Sequence, residues 1–203
     1  MLKILLADLR HSTIGTHSAV MPLAIGLLAT YTESYLKNKV QTKIFIDPNK
    51  ILKEISKGDA DVVALSNYVW NCELGELIFK SAKEINSDIV TVAGGPEFPR
   101  DQSEGVDYLR KRSEIDFYVH QEGEVAFSKL IESVLSKKSI NILKSKPIDG
   151  IKFIDSDNNL ITGNAHERLK DLDIIPSPYL SGKMEEFFDG SFQPFIESAR
   201  GCP

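Results

Sequence analysis

Over the first 140 residues, short apolar runs alternate with stretches of helical periodicity, and this alternation constrains the fold more than any other feature. Lys3 to Asp8 is a continuous apolar run closed by a polar residue, as in a strand buried on both faces. After the loop Leu9 to Met21, Pro22 suits the first turn of a helix whose apolar face is Leu23, Leu27, Leu28, Tyr31 and Tyr35. Thr42 to Ile46 reads as a second strand and Pro48 to Lys57 as a short helix. Asp61 to Ser66 is a third strand, followed by a helix facing inward with Leu74, Leu77, Ile78, Ala82 and Ile85. Ile89 to Ala93 and Ile115 to Val119 complete the strands, and Glu124 to Lys137 is a helix with Phe127, Leu130, Ile131, Val134 and Leu135 inward. Strands alternating with helices predict an α/β protein with a parallel, doubly wound five-stranded sheet and right-handed connections.

The expected strand order is the flavodoxin-like 2-1-3-4-5, with its switch point between strands 1 and 3. After residue 140 the pattern changes. Ile148 to Thr162 reads as a hairpin around an Asp/Asn turn. Leu169 to Leu180, with Pro176-Ser177-Pro178, reads as an extended linker. Met184 to Phe188 suits a short helix and Gln193 to Glu197 a final strand. The expected organisation is therefore a domain over residues 1–140, a hairpin and linker over 141–192, and the start of another unit over 193–203.

Ligands of doubly wound sheets bind beyond the carboxyl ends of the strands, so the loops after strands 1, 3, 4 and 5 are where chemistry is expected. The third loop, Ser66-Asn67-Tyr68-Val69-Trp70-Asn71, holds the only tryptophan, a phenol, a hydroxyl and two amides. Those groups either cap the sheet or offer flat apolar faces with hydrogen-bonding handles to a large ligand. In Gly94-Gly95-Pro96-Glu97 the glycines permit a tight turn or close approach of backbone to a ligand. In Gln121-Glu122-Gly123-Glu124, Glu124 reads as an ordinary acid at a helix start, whereas Glu122 and Gly123 are placed to face a ligand. The first loop is long for its position and carries Arg10, His11, Thr13, Gly15, Thr16 and His17.

A net charge of -5 argues against a nucleic-acid surface. The amino-terminal apolar run reaches Asp8 too soon for a signal peptide or a membrane span. Two distant cysteines, Cys72 and Cys202, make no disulfide framework. The expectation is a cytoplasmic protein without membrane or nucleic-acid partners.

Taken together these pieces resemble the amino-terminal cobalamin-binding domain of cobalamin-dependent radical S-adenosylmethionine (radical SAM) proteins, the group that includes the anaerobic magnesium-protoporphyrin cyclase. The matching stretches, in order, are Pro22 to Ala29, Ser66 to Asn71, Gly94 to Glu97, Gln121 to Glu124, Ile175 to Leu180 and Ser198-Ala199-Arg200-Gly201-Cys202-Pro203. The resemblance implies a Rossmann-like fold with the corrin over the strand ends. Around it would lie Ser66, Tyr68, Trp70, Asn71, Gly94, Gly95, Pro96, Glu97, Glu122 and Gly123, with the loop at Thr16 and His17 near the ring or its nucleotide tail. Cys202 would be the first ligand of a CxxxCxxC motif that holds a four-iron four-sulfur cluster, so the chain would be the front of a longer enzyme. The resemblance implies that S-adenosylmethionine is cleaved, and the substrate bound, by a carboxyl-terminal radical SAM domain. This fragment alone is expected to cleave none.

The sequence departs from the DxHxxG motif of methionine synthase-like domains, whose histidine ligates cobalt. Asp8, His11 and Gly15 are present, but each gap is one residue longer. His11 is the candidate cobalt ligand by position, while the resemblance implies a base-off state with no protein histidine on the metal. Methylthiotransferases have a similar front domain but carry several cysteines there, whereas only Cys72 precedes Cys202. Two other readings stand beside cobalamin binding. One is a scaffold or substrate-recognition domain that has lost the cofactor, which predicts a filled surface rather than an open apolar cleft. The other is a nucleotide- or flavin-binding protein, ranked last because Leu9 to Gly15 has no glycine-rich phosphate pattern.

Overall fold

The computed structural model describes residues 1–11, 20–136 and 139–200. Strand and helix alternate as β1 (Leu2–Ala7), α1 (Leu23–Leu36), β2 (Val40–Phe45), α2 (Pro48–Ile55), β3 (Val62–Ser66), α3 (Cys72–Ile85), β4 (Val90–Gly94), α4 (Gln102–Arg110), β5 (Phe117–Val119) and α5 (Gly123–Ser136). A one-turn α6 (Ile140–Leu143) and the hairpin β6 (Ile151–Ile154) and β7 (Leu160–Thr162) follow. Among the described residues the sheet order is β2-β1-β3-β4-β5-β6-β7. The first five strands are parallel, in the expected order, with β1 flanked by β2 and β3. The hairpin does not stand apart. It extends the same sheet antiparallel, with Tyr118 opposite Lys152 and Val119 opposite Ile151.

Strand alternation divides the core into two layers. Ile4, Leu6, Val62, Ala64, Val92, Phe117 and Val119 face α1 and α5. Leu5, Ala7, Val63, Leu65, Ala93 and Tyr118 face α2, α3 and α4. Helix boundaries follow local chemistry. Asp47 caps α2 by accepting from the Asn49 amide at 2.8 Å, and Asp101 caps α4 through the Ser103 and Glu104 amides. Pro22 is the N-cap of α1 rather than part of its first turn.

The segment expected as an extended linker is a strap docked on α1. Thr30 Oγ1 donates to the Pro176 carbonyl at 2.6 Å, and Lys183 reaches Glu33 at 2.6 Å. Gly26 makes the docking possible, because a Cβ there would collide with the Met184 methyl and touch Pro178. The expected helix at Met184 to Phe188 is a single 3-10 turn, Glu185–Phe187. The expected last strand is reduced to one parallel bridge between Val20 and Gln193.

Glu54 ties α2 to the sheet by accepting from Lys3, Lys43 and Lys57 at 2.8 to 3.0 Å. Hydrogen bonds from Lys3 and Lys57 overcome the effect of burial and lower its pKa from 4.5 to about 2. A lowered folded-state pKa contributes stability above the unfolded value that is lost as pH falls toward the folded one. Because Lys43 and Lys57 are half exposed, we expect Glu54→Gln to cost about 1 kcal/mol at neutral pH. The difference from wild type should vanish between pH 4.5 and about 2. Thermal melts across that window check this, and a constant difference would contradict it.

Candidate cofactor cleft

The switch point is built from the ends of β1 and β3. Ser66 Oγ donates to Asp8 Oδ1 at 2.6 Å, locking the two strand ends together. Beyond Ser66 the chain turns sharply, and two buried amides hold the turn. Asn71, 1% exposed, accepts from the Tyr68 amide at 2.8 Å and donates to the Leu9 carbonyl at 3.2 Å. Asn67 donates to the Tyr108 hydroxyl at 2.6 Å on the opposite layer. With the backbone so braced, Tyr68 and Trp70 stack on each other, ring centroids 4.4 Å apart and nearly parallel. Trp70 remains exposed. Burial first, and then the charge of Asp8, raises the Tyr68 pKa, so its phenol is a neutral donor at physiological pH. The Nε2 atom of His11 lies 2.6 Å from the Trp70 carbonyl oxygen.

At the end of β4 the backbone crosses against Asn67. Gly95 has φ +139°, and a Cβ there would collide with the Asn67 carbonyl oxygen. Tyr118 donates to the Gly95 carbonyl at 2.9 Å, fixing the turn from below. At the end of β5, Gln121 takes φ +66° and α5 begins at Gly123.

Between these loops and α1 lies a cleft in two connected chambers. The inner slot, about 440 Å³, descends between the sheet and helices α1 and α5, with Leu28, Ala64, Val92 and Phe127 as apolar walls and Ser66, Gly94 and Gly95 at its rim. The mouth, about 450 Å³, is bounded by Arg10, His11, Leu27, Trp70, Phe195 and Arg200. Ala24, Tyr68 and Glu124 border both. Two glycines keep bulk out of the slot. A Cβ on Gly94 would lie 3.3 Å from Val119, and one on Gly123 the same distance from Leu28. This is the open apolar cleft of a ligand-binding domain, not the filled surface of a scaffold. Apolar walls, with the neutral Tyr68 phenol as a donor and Ser66 Oγ left to accept, fit a large ligand with apolar faces and amide side chains. Among the described residues no group of three or more His, Cys, Asp or Glu is arranged to hold a metal ion.

The structure brings Ser66, Tyr68, Gly94, Gly95, Pro96 and Gly123 to the slot, and His11, Tyr68 and Trp70 to the mouth. Asn71, Glu97 and Glu122 line neither chamber. Asn71 braces its own loop, the Glu97 amide donates to the Asn67 carbonyl at 3.3 Å, and Glu122 accepts from the Leu169 amide at 3.0 Å. Thr16, His17 and Cys202 lie outside the described residues. Residue-by-residue reading missed Ala24, Ala64, Gln121, Glu124, Phe127 and Arg200. Glu124 is not an ordinary exposed helix-start acid. It is 6% exposed and forms a two-pronged pair with Arg200 at 3.0 and 2.6 Å.

Comparison with known proteins agrees with this geometry. The chain is similar to the cobalamin-dependent radical SAM methyltransferase TokK of Streptomyces tokunonensis, 31% identical over 199 residues that cover 90% of this chain and 27% of that protein. The 2-(S-pantetheinyl)-carbapenam-3-carboxylate methyltransferase of Streptantibioticus cattleyicolor matches with the same identity and coverage. Among solved structures, the cobalamin-dependent S-adenosylmethionine radical enzyme OxsB with aqua-cobalamin and S-adenosylmethionine bound superimposes with a TM-score of 0.70 at 18% identity, covering 100% of this chain and 27% of that one. At that identity the likeness concerns the fold. The chain spans about a quarter of the length of these relatives. Residues 16–131 match the model of the B12 binding domain, from the first loop through most of α5. The chain therefore belongs to the B12-binding domain family, and it is homologous to part of the cobalamin-dependent radical SAM enzymes.

Proposed function

We propose that this chain holds cobalamin over the carboxyl ends of β1, β3 and β4 and presents it to a radical SAM catalytic domain of the same polypeptide. The observation that carries the reading is the two-chambered cleft, whose slot and mouth meet at Ala24, Tyr68 and Glu124. When bound, cobalamin supplies cobalt-centred reactivity suited to methyl transfer or ring modification. The residues supply position and shielding. The slot between α1, α5 and the sheet would hold the flat nucleotide base, with Gly94 and Gly123 leaving room for it. Ser66, Tyr68, Gly94, Gly95, Pro96 and Gly123 would hold the cofactor along the slot, and Trp70, exposed at the mouth, would shield it there. Asn71, Glu97 and Glu122 act by holding the loops that do so. Thr16 and His17 belong to the loop that approaches the ring or tail.

His11 borders the mouth with Nε2 against the Trp70 carbonyl, a contact that leaves its Nδ1 lone pair free, and the base-off reading, with no protein histidine on cobalt, rests on the family resemblance. In a longer protein with the catalytic domain, Cys202 would be the first ligand of a four-iron four-sulfur cluster, which would supply the chemistry for S-adenosylmethionine cleavage. Residues 1–140 then form the cofactor domain, 141–192 the hairpin and strap, and 193–203 the entry to the catalytic barrel. Among the described residues no helix is long and apolar enough to cross a membrane. Cys72 is a free thiol, which suits a reducing cytoplasm.

Trp70 provides the test, because it is the sole tryptophan and borders the mouth. Titration with hydroxocobalamin should quench its emission saturably, since the corrin absorbs where indole emits. Unchanged emission from folded protein at micromolar cobalamin would contradict the proposal.

A further inference from the structure

Residues 193–200 are fastened to the cleft at three places. The Met21 amide donates to the Gln193 carbonyl at 2.9 Å. The Tyr179 hydroxyl donates to the Phe195 carbonyl at 2.6 Å and accepts from the Phe195 amide at 3.0 Å. The third anchor is Arg200, whose guanidinium pairs with both oxygens of Glu124 and also meets Glu197 at 2.9 Å and Glu122 at 3.7 Å. The Arg200 and Glu124 side chains are 12% and 7% exposed.

Such a pair yields little net stability, because desolvation offsets most of the attraction, but its planar fork specifies position. Position is what the surroundings use. Glu124 sits at the start of α5 and borders both chambers. Phe195, Glu197 and Arg200 all line the mouth, although they are more than 60 residues from the loops that form the opposite wall. Phe195 and Ile196 are themselves largely exposed, at 56% and 78%, so apolar contact alone does not hold the segment down.

We propose that Arg200, gripped by Glu124 and Glu122, is a positioning residue that makes residues 193–200 the outer wall of the cobalamin cleft and thereby sets how long the cofactor is retained. The proposal rests on the cobalamin reading of the cleft. Without the grip the segment lifts, the mouth widens on the side facing Trp70, and the cofactor exchanges freely. Glu122 contributes twice, since it also accepts from the Leu169 amide and so ties the start of the strap to the same anchor.

The test compares wild type, Arg200→Gln and Arg200→Lys in three measurements: hydrogen–deuterium exchange of the peptide covering residues 193–200 without cofactor, the dissociation rate of hydroxocobalamin, and the melting temperature of the apo protein. Arg200→Gln should expose the 193–200 amides to exchange and raise the cobalamin dissociation rate by roughly 10- to 100-fold. Arg200→Lys, which keeps the charge and loses the fork, should recover only part of that. If Arg200→Gln does not fold, Tyr179→Phe removes the second anchor without touching the ion cluster and should give the same two effects to a smaller degree. Unchanged protection of 193–200 would overturn the anchor. Loosened amides with an unchanged dissociation rate would overturn the retention role, as would a change in melting temperature alone. Failure of wild type to bind cobalamin would overturn the cofactor reading and the retention role together, and the exchange measured without cofactor still decides the anchor.

Discussion

Ala24→Phe is expected to leave the protein folded and to abolish tight cobalamin binding. Ala24 lies in the first turn of α1, is solvent-exposed, and borders both the slot and the mouth. A phenyl group there fills the passage between the two chambers without entering the core. The helix loses about 0.5 kcal/mol in propensity, so the melting temperature should move by only about 2 °C. Affinity for hydroxocobalamin should fall by about 100-fold or more, equivalent to some 2.7 kcal/mol. Ala24→Ser, which adds one small atom, should bind as wild type does. Equilibrium dialysis of the three proteins checks this, and wild-type affinity in Ala24→Phe would place the cofactor elsewhere.

Gly95→Ala should damage both fold and binding. The residue sits at φ +139°, and a Cβ would strike the Asn67 carbonyl and lie 3.0 Å from the Asn67 nitrogen, both backbone atoms of the neighbouring loop. Backbone strain of this kind costs about 1–3 kcal/mol, and displacement of Asn67 adds to it. Asn67 bonds to Tyr108 and braces the turn that carries Tyr68 and Trp70. The expected result is a melting temperature lower by about 5–10 °C and cobalamin affinity reduced by about tenfold or more. Gly58→Ala is the matched control. It also has positive φ, at +75°, but a Cβ there meets nothing within 4 Å. It should cost about 1 kcal/mol and leave binding unchanged.

The parallel core was legible because β1, β3 and β4 are largely apolar runs between helical stretches. The alternating edge strand β2 still shows apolar Ile44 and Phe45, and the flavodoxin-like order is the one the structure has. The binding rule for doubly wound sheets pointed to the loops after Asp8, Ser66, Ala93 and Val119, and residues of those loops border the cleft. Helix α4 was overlooked because its buried face is narrow, comprising Gly105, Tyr108 and Leu109. Its start was nonetheless written in Asp101 followed three residues later by Glu104, a capping signature. The joining of the hairpin to β5 escaped notice because nothing local announces the pairing of Tyr118 with Lys152. The strap read as a free linker because proline favours extended chain, while the pocket that receives it is made by the missing side chain of Gly26.

The site was less legible than the fold for a related reason. The slot is defined by absent bulk at Ala24, Ala64, Gly94 and Gly123, and a small residue in a strand or helix carries no signal by itself. The Arg200 to Glu124 pair spans 76 residues, beyond the reach of any spacing rule. Asn71, expected at the cofactor, works instead on the loop that carries Tyr68 and Trp70, since both ends of its amide are spent on backbone partners.

The most direct measurement is retention of cobalamin by the 203-residue chain itself. The protein is incubated with hydroxocobalamin, desalted, and its visible spectrum recorded beside Ala24→Phe treated in the same way. A corrin spectrum near one equivalent in wild type, and its absence in the variant, is the expected result. A colourless wild-type protein with an intact far-ultraviolet circular dichroism spectrum would contradict the assignment of this cleft to cobalamin.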